Sequence, residues 1–244
     1  AASYFSNRAK ELIADHAGTL GAFIAEPIVG CGGQVPLPIG YLNEVYEAIR
    51  KQGGICISDE VQVGFGRLGS SYWGFEMQGV IPDIVILGKP MGNGHPLGAV
   101  VTTTEIAEKF AEGPEFFTSF GGNPVSCLIG EEVLNVIERD SLQHHAKQVG
   151  DYFKEQLKIL QESYDSIGDI RGEGLFLGVE MIDRNNLPDG KLAKHVINFL
   201  RNNWILSSTD GPHDQVIKIK PPLCFNKENV DEFVHIFRKS LAAF

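Results

Sequence analysis

The sequence predicts an α/β protein in which a domain with a largely parallel sheet precedes a smaller α+β domain. Two short apolar, β-branched runs, Ile55–Asp59 and Ile84–Leu87, are bounded by Gly and Pro, as is typical of buried parallel strands. An amphipathic helix precedes the first run, which indicates a βαβ unit. The composition changes near Asp140, where long charged helices begin. We therefore assign residues 1–139 and 140–244 to separate domains.

In the first domain, apolar residues at helical spacing indicate the helices. In the helix predicted over 38–52, for example, Leu42, Val45 and Ile49 share one face. Short apolar runs that end at Gly, Pro or an ionisable residue indicate the strands. The pattern predicts helices over 4–16, 38–52 and 105–111, and strands over 21–25, 55–59, 84–87 and 98–103.

The second domain alternates helices and strands. In its first helix, Val149, Phe153, Leu157 and Leu160 form an apolar face that we expect to be buried. The run over 216–220 alternates apolar and polar side chains, so it is predicted to be a half-exposed strand. The pattern predicts helices over 142–164, 191–202 and 228–241, and strands over 174–182 and 216–220.

The composition argues against several classes of protein. A net charge of −10 and the lack of a basic cluster argue against a nucleic-acid surface. The four cysteines are scattered without a CxxC pair, so neither a metal site nor a disulfide framework is expected. No apolar run approaches the ~20 residues that span a bilayer, so no membrane partner is expected. We expect a protein of the cytoplasm or, in a eukaryote, of the mitochondrial matrix.

Three ionisable residues, Glu26, Asp59 and Lys89, stand at the carboxyl ends of successive strand candidates. In an open parallel sheet, ligands bind beyond the carboxyl ends of the strands, so these side chains are expected in one crevice. Each residue alone is equally consistent with a turn carboxylate, a solvated strand end or a surface lysine.

An acid and an amine in one crevice can serve a pyridine-type cofactor. A carboxylate such as Asp59 beside the ring nitrogen keeps that nitrogen protonated. Two unit charges at about 4 Å and an effective dielectric of about 20 attract by roughly 4 kcal/mol. That attraction would raise the pKa of the ring nitrogen by up to about 3 units. An amine such as Lys89 can form a Schiff base with a cofactor aldehyde and can carry protons when it is released.

Two ordered motifs carry a family resemblance. The first reads Asp-Glu-Val-Gln-x-Gly-x-Gly-Arg over 59–67, and the second reads Gly-Lys-Pro-Met-Gly-x-Gly-x-Pro-Leu-Gly over 88–98. Together they resemble the signature of class III aminotransferases, enzymes of fold-type I that use pyridoxal 5'-phosphate (PLP). The resemblance implies that Asp59 pairs with the pyridine nitrogen, Gln62 pairs with the ring hydroxyl, and Lys89 forms the Schiff base.

The same resemblance implies two further site residues. Glu26 matches a glutamate on the substrate side of the cofactor. Thr118 matches a threonine that binds the cofactor phosphate of the neighbouring subunit, which implies a homodimer. Without the resemblance, the segment over 118–124 is interpreted as a plain turn. The resemblance covers nearly all of this chain but only about the later half of a family member, so the amino-terminal half of the family fold is expected to be absent.

The segment that contains Lys218 bears on the substrate. Many class III enzymes place an arginine shortly before a Pro-Pro-Leu element, where it binds the substrate carboxylate in a two-pronged pair. Lys218 occupies that position, and a lysine cannot form the planar fork. The Lys-Ile-Lys-Pro-Pro sequence over 218–222 is similar to the phospho-lyase branch, which acts on phosphorylated amines such as O-phosphoethanolamine. The alternative is that Lys218 is a solvated strand residue.

Three hypotheses of function follow. The first, which we prefer because its motifs are the most specific, is a PLP-dependent class III aminotransferase acting on a small-molecule amine or ω-amino acid. The second is a phospho-lyase on the same scaffold, which eliminates phosphate from a phosphorylated amine. In both, Asp59 and Lys89 are the catalytic residues, and Lys89 abstracts the proton next to the amine. The third is a non-catalytic fragment or interaction domain that lacks a complete site.

Overall fold

The computed structural model describes residues 2–244. These residues form two compact units. The first unit comprises the described residues up to Pro27, Leu37–Phe65 and Trp73–Asp140, and the second comprises Ile28–Pro36, Gly66–Tyr72 and Ser141–Phe244. The assignment of two domains from the sequence stays a prediction.

The helices and strands have the following bounds. The α-helices are α1 (Ala2–Asp15), α2 (Tyr41–Lys51), α3 (Thr104–Ala111), α4 (Pro124–Arg139), α5 (Leu142–Gln161), α6 (Gly190–Asn202) and α7 (Lys227–Ala242). The strands are β1 (Ala22–Ala25), β2 (Ile28–Val29), β3 (Val35–Pro36), β4 (Ile55–Asp59), β5 (Ile84–Leu87), β6 (Ala99–Thr102), β7 (Ile167–Glu173), β8 (Phe176–Met181), β9 (Ser208–Asp210) and β10 (Val216–Ile219). Short 3-10 helices span Gly74–Gln78 and Lys89–Gly92.

A four-stranded sheet in the order β1-β4-β5-β6 forms the centre of the first unit. β1, β4 and β5 are parallel, and β6 is antiparallel to β5. α2 packs on this sheet, where Leu42, Val45 and Ile49 share a buried cluster with Cys56 of β4. The predicted α/β fold with a mixed, mainly parallel sheet is thus confirmed.

Several side chains of this sheet are exposed. Ile24 in β1 is 56% exposed, and Val100 in β6 is 66% exposed. The expectation of a buried strand over 21–25 was therefore wrong for Ile24. The physical reason is that, in the described part of the first unit, α2 covers the side of the sheet that carries Phe23 and Cys56, whereas Ile24 points the other way.

The second unit is built on an antiparallel sheet in the order β7-β8-β10-β9. Side chains of α5, α6 and α7 join those of the sheet in one large apolar core. The predicted apolar face of α5 is confirmed, since all four of its residues are buried. The expectation of a half-exposed β10 was wrong, because Ile217 and Ile219 join this core and Val216 packs near Gly33 in the β2–β3 turn.

Two properties bear on the excluded classes of protein. Within residues 2–244, no helix combines the length and apolar character needed to cross a bilayer. The same residues contain no group of three or more His, Cys, Asp or Glu side chains placed to hold a metal ion. The four cysteines are free thiols, of which Cys56 is buried.

Candidate functional site

Asp59 is the last residue of β4, between two parallel neighbours. It pairs in register with Ile86 of β5, and the preceding Ser58 pairs with Ala25 of β1. The Asp59 side chain is half-buried, and Val61 N donates a hydrogen bond of 3.0 Å to Asp59 Oδ1. This bond fixes one carboxylate oxygen at the start of the turn that follows β4.

Glu60, the next residue in the chain, is fully buried. Glu60 Oε1 accepts hydrogen bonds from Ser58 Oγ (3.0 Å) and Phe75 N (3.0 Å), and Oε2 accepts one from Gly74 N (2.7 Å). Burial raises the pKa of the Glu60 carboxyl, and the three donated hydrogen bonds oppose that rise. The carboxylate therefore ties the end of β4 to the 3-10 helix that begins at Gly74.

The backbone of Glu60 makes two more connections. Glu60 N donates to Ile86 O of β5 at 3.0 Å, and Glu60 O accepts from Gly64 N at 3.0 Å. The second bond closes the helical turn that carries Gln62, whose side chain is half-buried. A Cβ at Gly64 would lie 2.9 Å from Trp73 Cε3, so the turn has room only for glycine there.

Lys89 lies two residues beyond β5, at the start of its 3-10 helix. Its φ is 35°, in the left-handed region that residues with a side chain rarely adopt. Met91 N donates to Gly88 O at 3.0 Å and closes the turn around it. The lysine side chain is exposed. Backbone strain of this kind concentrates at functional sites.

Glu26 follows β1 directly and is half-buried. Because β1, β4 and β5 are parallel neighbours, Glu26, Asp59 and Lys89 lie at the same edge of the sheet. The structure thus brings together the three strand ends as the sequence pattern predicts. The roles of the three side chains stay predictions.

Thr118 lies on the segment between α3 and α4 rather than at a strand end. Residues 111–122 are all exposed. Thr118 Oγ1 accepts a hydrogen bond of 3.1 Å from Gly121 N, which forms a turn around the hydroxyl. The segment is therefore a turn, as expected, with its side chains open to solvent.

Lys218 belongs to the second unit, on β10. Lys218 Nζ lies 2.7 Å from Asp210 Oδ2 of β9, and Gln34 Nε2 donates to the same oxygen at 2.7 Å. The side chains of Lys218 and Asp210 are only 22% and 11% exposed. Lys218 is therefore not a solvated strand residue, because its ammonium is paired with a carboxylate on the neighbouring strand.

Arg67, which ends the first motif, supports the Pro-Pro-Leu element within the second unit. Arg67 Nη1 donates to Pro221 O at 2.7 Å and to Leu175 O at 3.0 Å. Burial lowers the pKa of Arg67 to about 10. The local sequence carries no signal for this role of Arg67, because its partners lie 108 and 154 residues away along the chain.

Three more residues of the first unit were missed by sequence reasoning. Glu60 and His95 lie inside the two motifs, and Ser126 lies on α4, which the sequence pattern did not predict. His95 Nε2 and Ser126 Oγ are hydrogen-bonded at 2.8 Å. The Asn123–Pro124 pair is the signal that could have indicated the start of α4, because Asn is a frequent N-cap and Pro a frequent first helical residue.

The donor set of the first unit fits PLP. Asp59 offers a carboxylate for a protonated ring nitrogen, Gln62 offers an amide for the ring hydroxyl, and Lys89 offers an exposed amine for the aldehyde. Asp59 ends β4 and Lys89 follows β5, and these two strands are parallel neighbours. The antiparallel β6 pairs with the other side of β5. This fold and site define the class of PLP-dependent enzymes of fold-type I.

Comparisons with known proteins specify the family. A family model described as Aminotransferase class-III matches residues 1–241. The chain is 54% identical over 226 residues to an alanine–glyoxylate aminotransferase 2-like protein of Drosophila melanogaster, which covers 91% of this chain and 46% of that protein. It is 46% identical over 218 residues to ethanolamine-phosphate phospho-lyase homolog 1 of Caenorhabditis elegans, which covers 87% and 47%. The chain therefore belongs to the class III aminotransferase family, which is PLP-dependent.

A solved structure extends this similarity to the fold. A phospholyase from Arthrobacter in complex with phosphoethanolamine superposes with a TM-score of 0.95 and 40% sequence identity, covering 100% of this chain and 59% of that one. The predicted fold-type I architecture is confirmed by this likeness together with the family match. The chain spans about half the length of the curated relatives it matches.

Proposed function

We propose that this chain supplies the lysine, aspartate and glutamine of the cofactor site in a PLP-dependent aminotransferase that acts on an amine or ω-amino acid. The observation that carries the proposal is the convergence of Asp59 and Lys89 at the ends of adjacent parallel strands, within motifs of the class III family. We place the enzyme in the cytoplasm or the mitochondrial matrix, which the scattered free cysteines support.

Each residue has a defined task in this proposal. PLP, when bound, supplies an aldehyde that captures the amine and a ring that accepts electrons from the substrate carbon. Asp59 accepts a hydrogen bond from the protonated ring nitrogen, and Gln62 donates one to the ring hydroxyl. Lys89 holds the cofactor covalently and, once released, moves the proton at the carbon next to the substrate amine. Its exposed side chain suits both tasks, because the amine is open to reactants.

Two further residues complete the proposal. Glu26 contacts the substrate side of the cofactor, a role that its position at the same strand edge supports. Thr118 binds the cofactor phosphate of a neighbouring subunit in a homodimer. The exposure of the whole segment around Thr118 supports this role, because the segment is open to a second copy of the chain.

A phospho-lyase is the second candidate, and Lys218 is the residue that favours it. A lysine binds an anion as a point charge, whereas an arginine grips a planar carboxylate with two parallel bonds. The likeness to the Arthrobacter phospholyase supports the same candidate. In this reaction Lys89 removes the same proton, and the bond between carbon and the phosphate oxygen then breaks.

Paired assays of the full-length gene product, loaded with PLP, separate the candidates. One assay gives the enzyme an ω-amino acid with a keto acid and measures amino transfer. The other gives it O-phosphoethanolamine and measures released phosphate. The proposal expects amino transfer, whereas phosphate release alone would establish the second candidate. If PLP binds but neither reaction occurs, both candidates fail for these substrates.

Lys218→Arg refines this comparison. If Lys218 contacts the substrate, arginine should lower KM for carboxylate substrates and raise it for phosphorylated amines, because only arginine forms the two-pronged pair. Lys191→Arg, at an exposed lysine of the second unit, is the matched control and should change neither KM. Unchanged KM values in Lys218→Arg would show that Lys218 only pairs with Asp210.

A further inference from the structure

The backbone of Lys89 is strained, because this residue has a positive φ at the start of its 3-10 helix. A residue with a side chain held at φ 35° persists only where its surroundings fix the chain on both sides. On the side towards the amino terminus, β5 fixes the chain through its ladders with β4 and β6. On the other side, the chain leaves the 3-10 helix through Asn93 and Gly94, which also have positive φ values. A second anchor is therefore needed beyond Gly94.

That anchor is His95. His95 N donates to Gly92 O at 2.9 Å, which continues the turn. His95 Nε2 lies 2.8 Å from Ser126 Oγ, in the first turn of α4. Ser126 is only 6% exposed, so this hydrogen bond is largely shielded from water. The turn that carries Lys89 is thereby fastened to a helix that begins about 30 residues later in the chain.

Asn123, the N-cap residue of α4, belongs to the same group of hydrogen bonds. Ser126 N donates to Asn123 Oδ1 at 3.0 Å, which orients the Asn123 amide. Asn123 Nδ2 then donates to Ser126 Oγ at 2.8 Å. The Ser126 hydroxyl retains one lone pair and its proton for the hydrogen bond with His95 Nε2, whose direction depends on the tautomer of the imidazole. His95, Ser126 and Asn123 form one continuous network, which we call the clasp.

Packing supports the same attachment. Met91 and Leu97 flank the clasp on the turn, and Gly130 faces them from α4. A Cβ at Gly130 would lie 2.7 Å from Leu97 Cδ2 and 4.0 Å from Met91 O. A side chain at position 130 would have to displace the end of Leu97, so α4 packs closely against the turn.

The clasp also reaches the Thr118 segment. Asn123 Nδ2 donates to Phe120 O at 2.7 Å, besides its bond to Ser126. Phe120 precedes Gly121, whose N donates to Thr118 Oγ1. One side chain, Asn123, thus joins the turn of the candidate Schiff-base lysine to the turn of the candidate phosphate-binding threonine.

We propose that His95 is a positioning residue that, through Ser126, holds the turn of Lys89 in its strained conformation and in register with the Thr118 segment. The proposal rests on the proposed function, because it concerns the lysine and the threonine of the cofactor site. His95 touches neither reactant: it acts through the backbone that presents the Lys89 amine.

A double-mutant cycle on the full-length gene product tests this proposal. The variants are His95→Phe, which keeps a ring and removes the hydrogen bond, Ser126→Ala, and the double variant. His144→Phe, at an exposed histidine of the second unit, is the matched control. Apoprotein of each is mixed with PLP, and the rate at which the visible absorbance of the bound cofactor appears is followed. Borohydride fixation and peptide mass then measure the fraction of Lys89 that carries PLP.

Each single variant should capture PLP about three- to tenfold more slowly than the wild type, the size of one net hydrogen bond. The double variant should be no slower than the slower single variant, because both changes remove the same interaction. His144→Phe should match the wild type. Capture is measured well below the thermal midpoint of each variant, so that the loss of stability expected from a removed hydrogen bond does not by itself slow capture at Lys89.

Other outcomes overturn the proposal in distinguishable ways. Wild-type rates in both single variants would show that the clasp does not position Lys89. Multiplying effects in the double variant would show that the two residues act separately. If Ser126→Ala folds and His95→Phe does not, the rate of PLP capture by Ser126→Ala tests the proposal: a wild-type rate would overturn it. If the wild type itself fixes no PLP on Lys89, the proposed function fails first, and this proposal fails with it.

Discussion

At the scale of single residues, Glu60 is the buried carboxyl that follows Asp59 and fixes the end of β4. Its two oxygens accept three hydrogen bonds at 2.7–3.0 Å, two of them from the backbone at Gly74 and Phe75. Such bonds are directional, so they fix where β4 ends. A rigid strand end is what a carboxylate needs in order to face a ring nitrogen repeatedly in one orientation.

Glu60→Gln should therefore destabilise the protein. The amide keeps one acceptor oxygen but turns an NH2 group towards a backbone N–H, so at least one buried donor loses its partner, at about 1–3 kcal/mol. Glu76→Gln is the control: that exposed side chain accepts from Trp73 N at 2.9 Å, and an amide oxygen can replace it. Urea unfolding of the full-length gene product measures both. Equal midpoints for the two variants would contradict this account.

The same comparison depends on pH. Burial raises the pKa of Glu60 above its ordinary value of 4.5, so at pH values between the two pKa values the folded state binds more protons at this carboxyl than the unfolded state. The free energy of unfolding that Glu60 contributes is then fully present below pH 4.5 and falls as the pH rises through the raised pKa. The difference between wild type and Glu60→Gln should accordingly be larger at pH 4.5 than at pH 7. A difference that grows with pH would reverse the sign and contradict the argument.

Sequence reasoning predicted the positions of Asp59 and Lys89 because a strand end is a local pattern. It did not predict the burial of Glu60, because that depends on backbone donors 14 and 15 residues away, at the start of a short 3-10 helix. The hydrogen bond of His95 was not predicted for the same reason, since its partner Ser126 lies 31 residues further along the chain. Residue identity indicates which atoms can bond, but the folded loop decides which of them meet.

At the scale of elements, helical spacing was reliable where one face of a helix is buried. α5 shows this, since the four residues of its predicted face lie in the core. α4 was missed because only Ser126, Gly130 and Ile137 are buried on it, while Val125 and Leu128 are exposed. Its apolar residues therefore do not mark the inward side, and the spacing carries no clear signal.

A pair of substitutions on α5 tests the assignment of its faces. Leu157→Ala should lower the free energy of unfolding by about 2–5 kcal/mol, because Leu157 is fully buried and its loss leaves a cavity. Ile159→Ala, two residues further on and 45% exposed, should cost less than about 1 kcal/mol. Chemical denaturation measures both variants. Comparable losses would show that α5 does not pack as described.

At the scale of the whole molecule, the first unit exposes much apolar surface. Phe116, Phe117 and Phe120, which we call the aromatic segment, are 70%, 81% and 83% exposed. Ile24 and Val100 of the sheet add to this surface. Monomeric proteins rarely leave such patches uncovered, so this chain by itself is expected to associate.

Replacing the three phenylalanines of the aromatic segment with serine should reduce this association. Sedimentation velocity of the chain, over a range of concentrations, measures the shift towards larger species. Trp204→Ser is the control, because Trp204 is 98% exposed but lies in the second unit. If the triple variant associates as strongly as the wild type, or if Trp204→Ser has the larger effect, the aromatic segment is not the associating surface.

The sequence predicted the mainly parallel sheet of the first unit, but not which early segments group with the second unit. The β2–β3 hairpin and residues 66–72 group with that unit although they lie early in the chain. Their attachments are long-range contacts, such as Gln34 to Asp210 across 176 residues and Arg67 to Pro221 across 154. No local spacing encodes such contacts, and only the folded chain shows them.

The most direct test of the proposed function is the covalent capture of PLP by Lys89. The full-length gene product is mixed with PLP, reduced with borohydride, digested and analysed by peptide mass. We expect a visible absorbance band and a PLP adduct on the peptide that contains Lys89. Lys89→Ala should lose both, and Lys109→Ala, at an exposed lysine of α3, should keep both. An adduct on another lysine, or an unchanged band in Lys89→Ala, would contradict the assignment of this site.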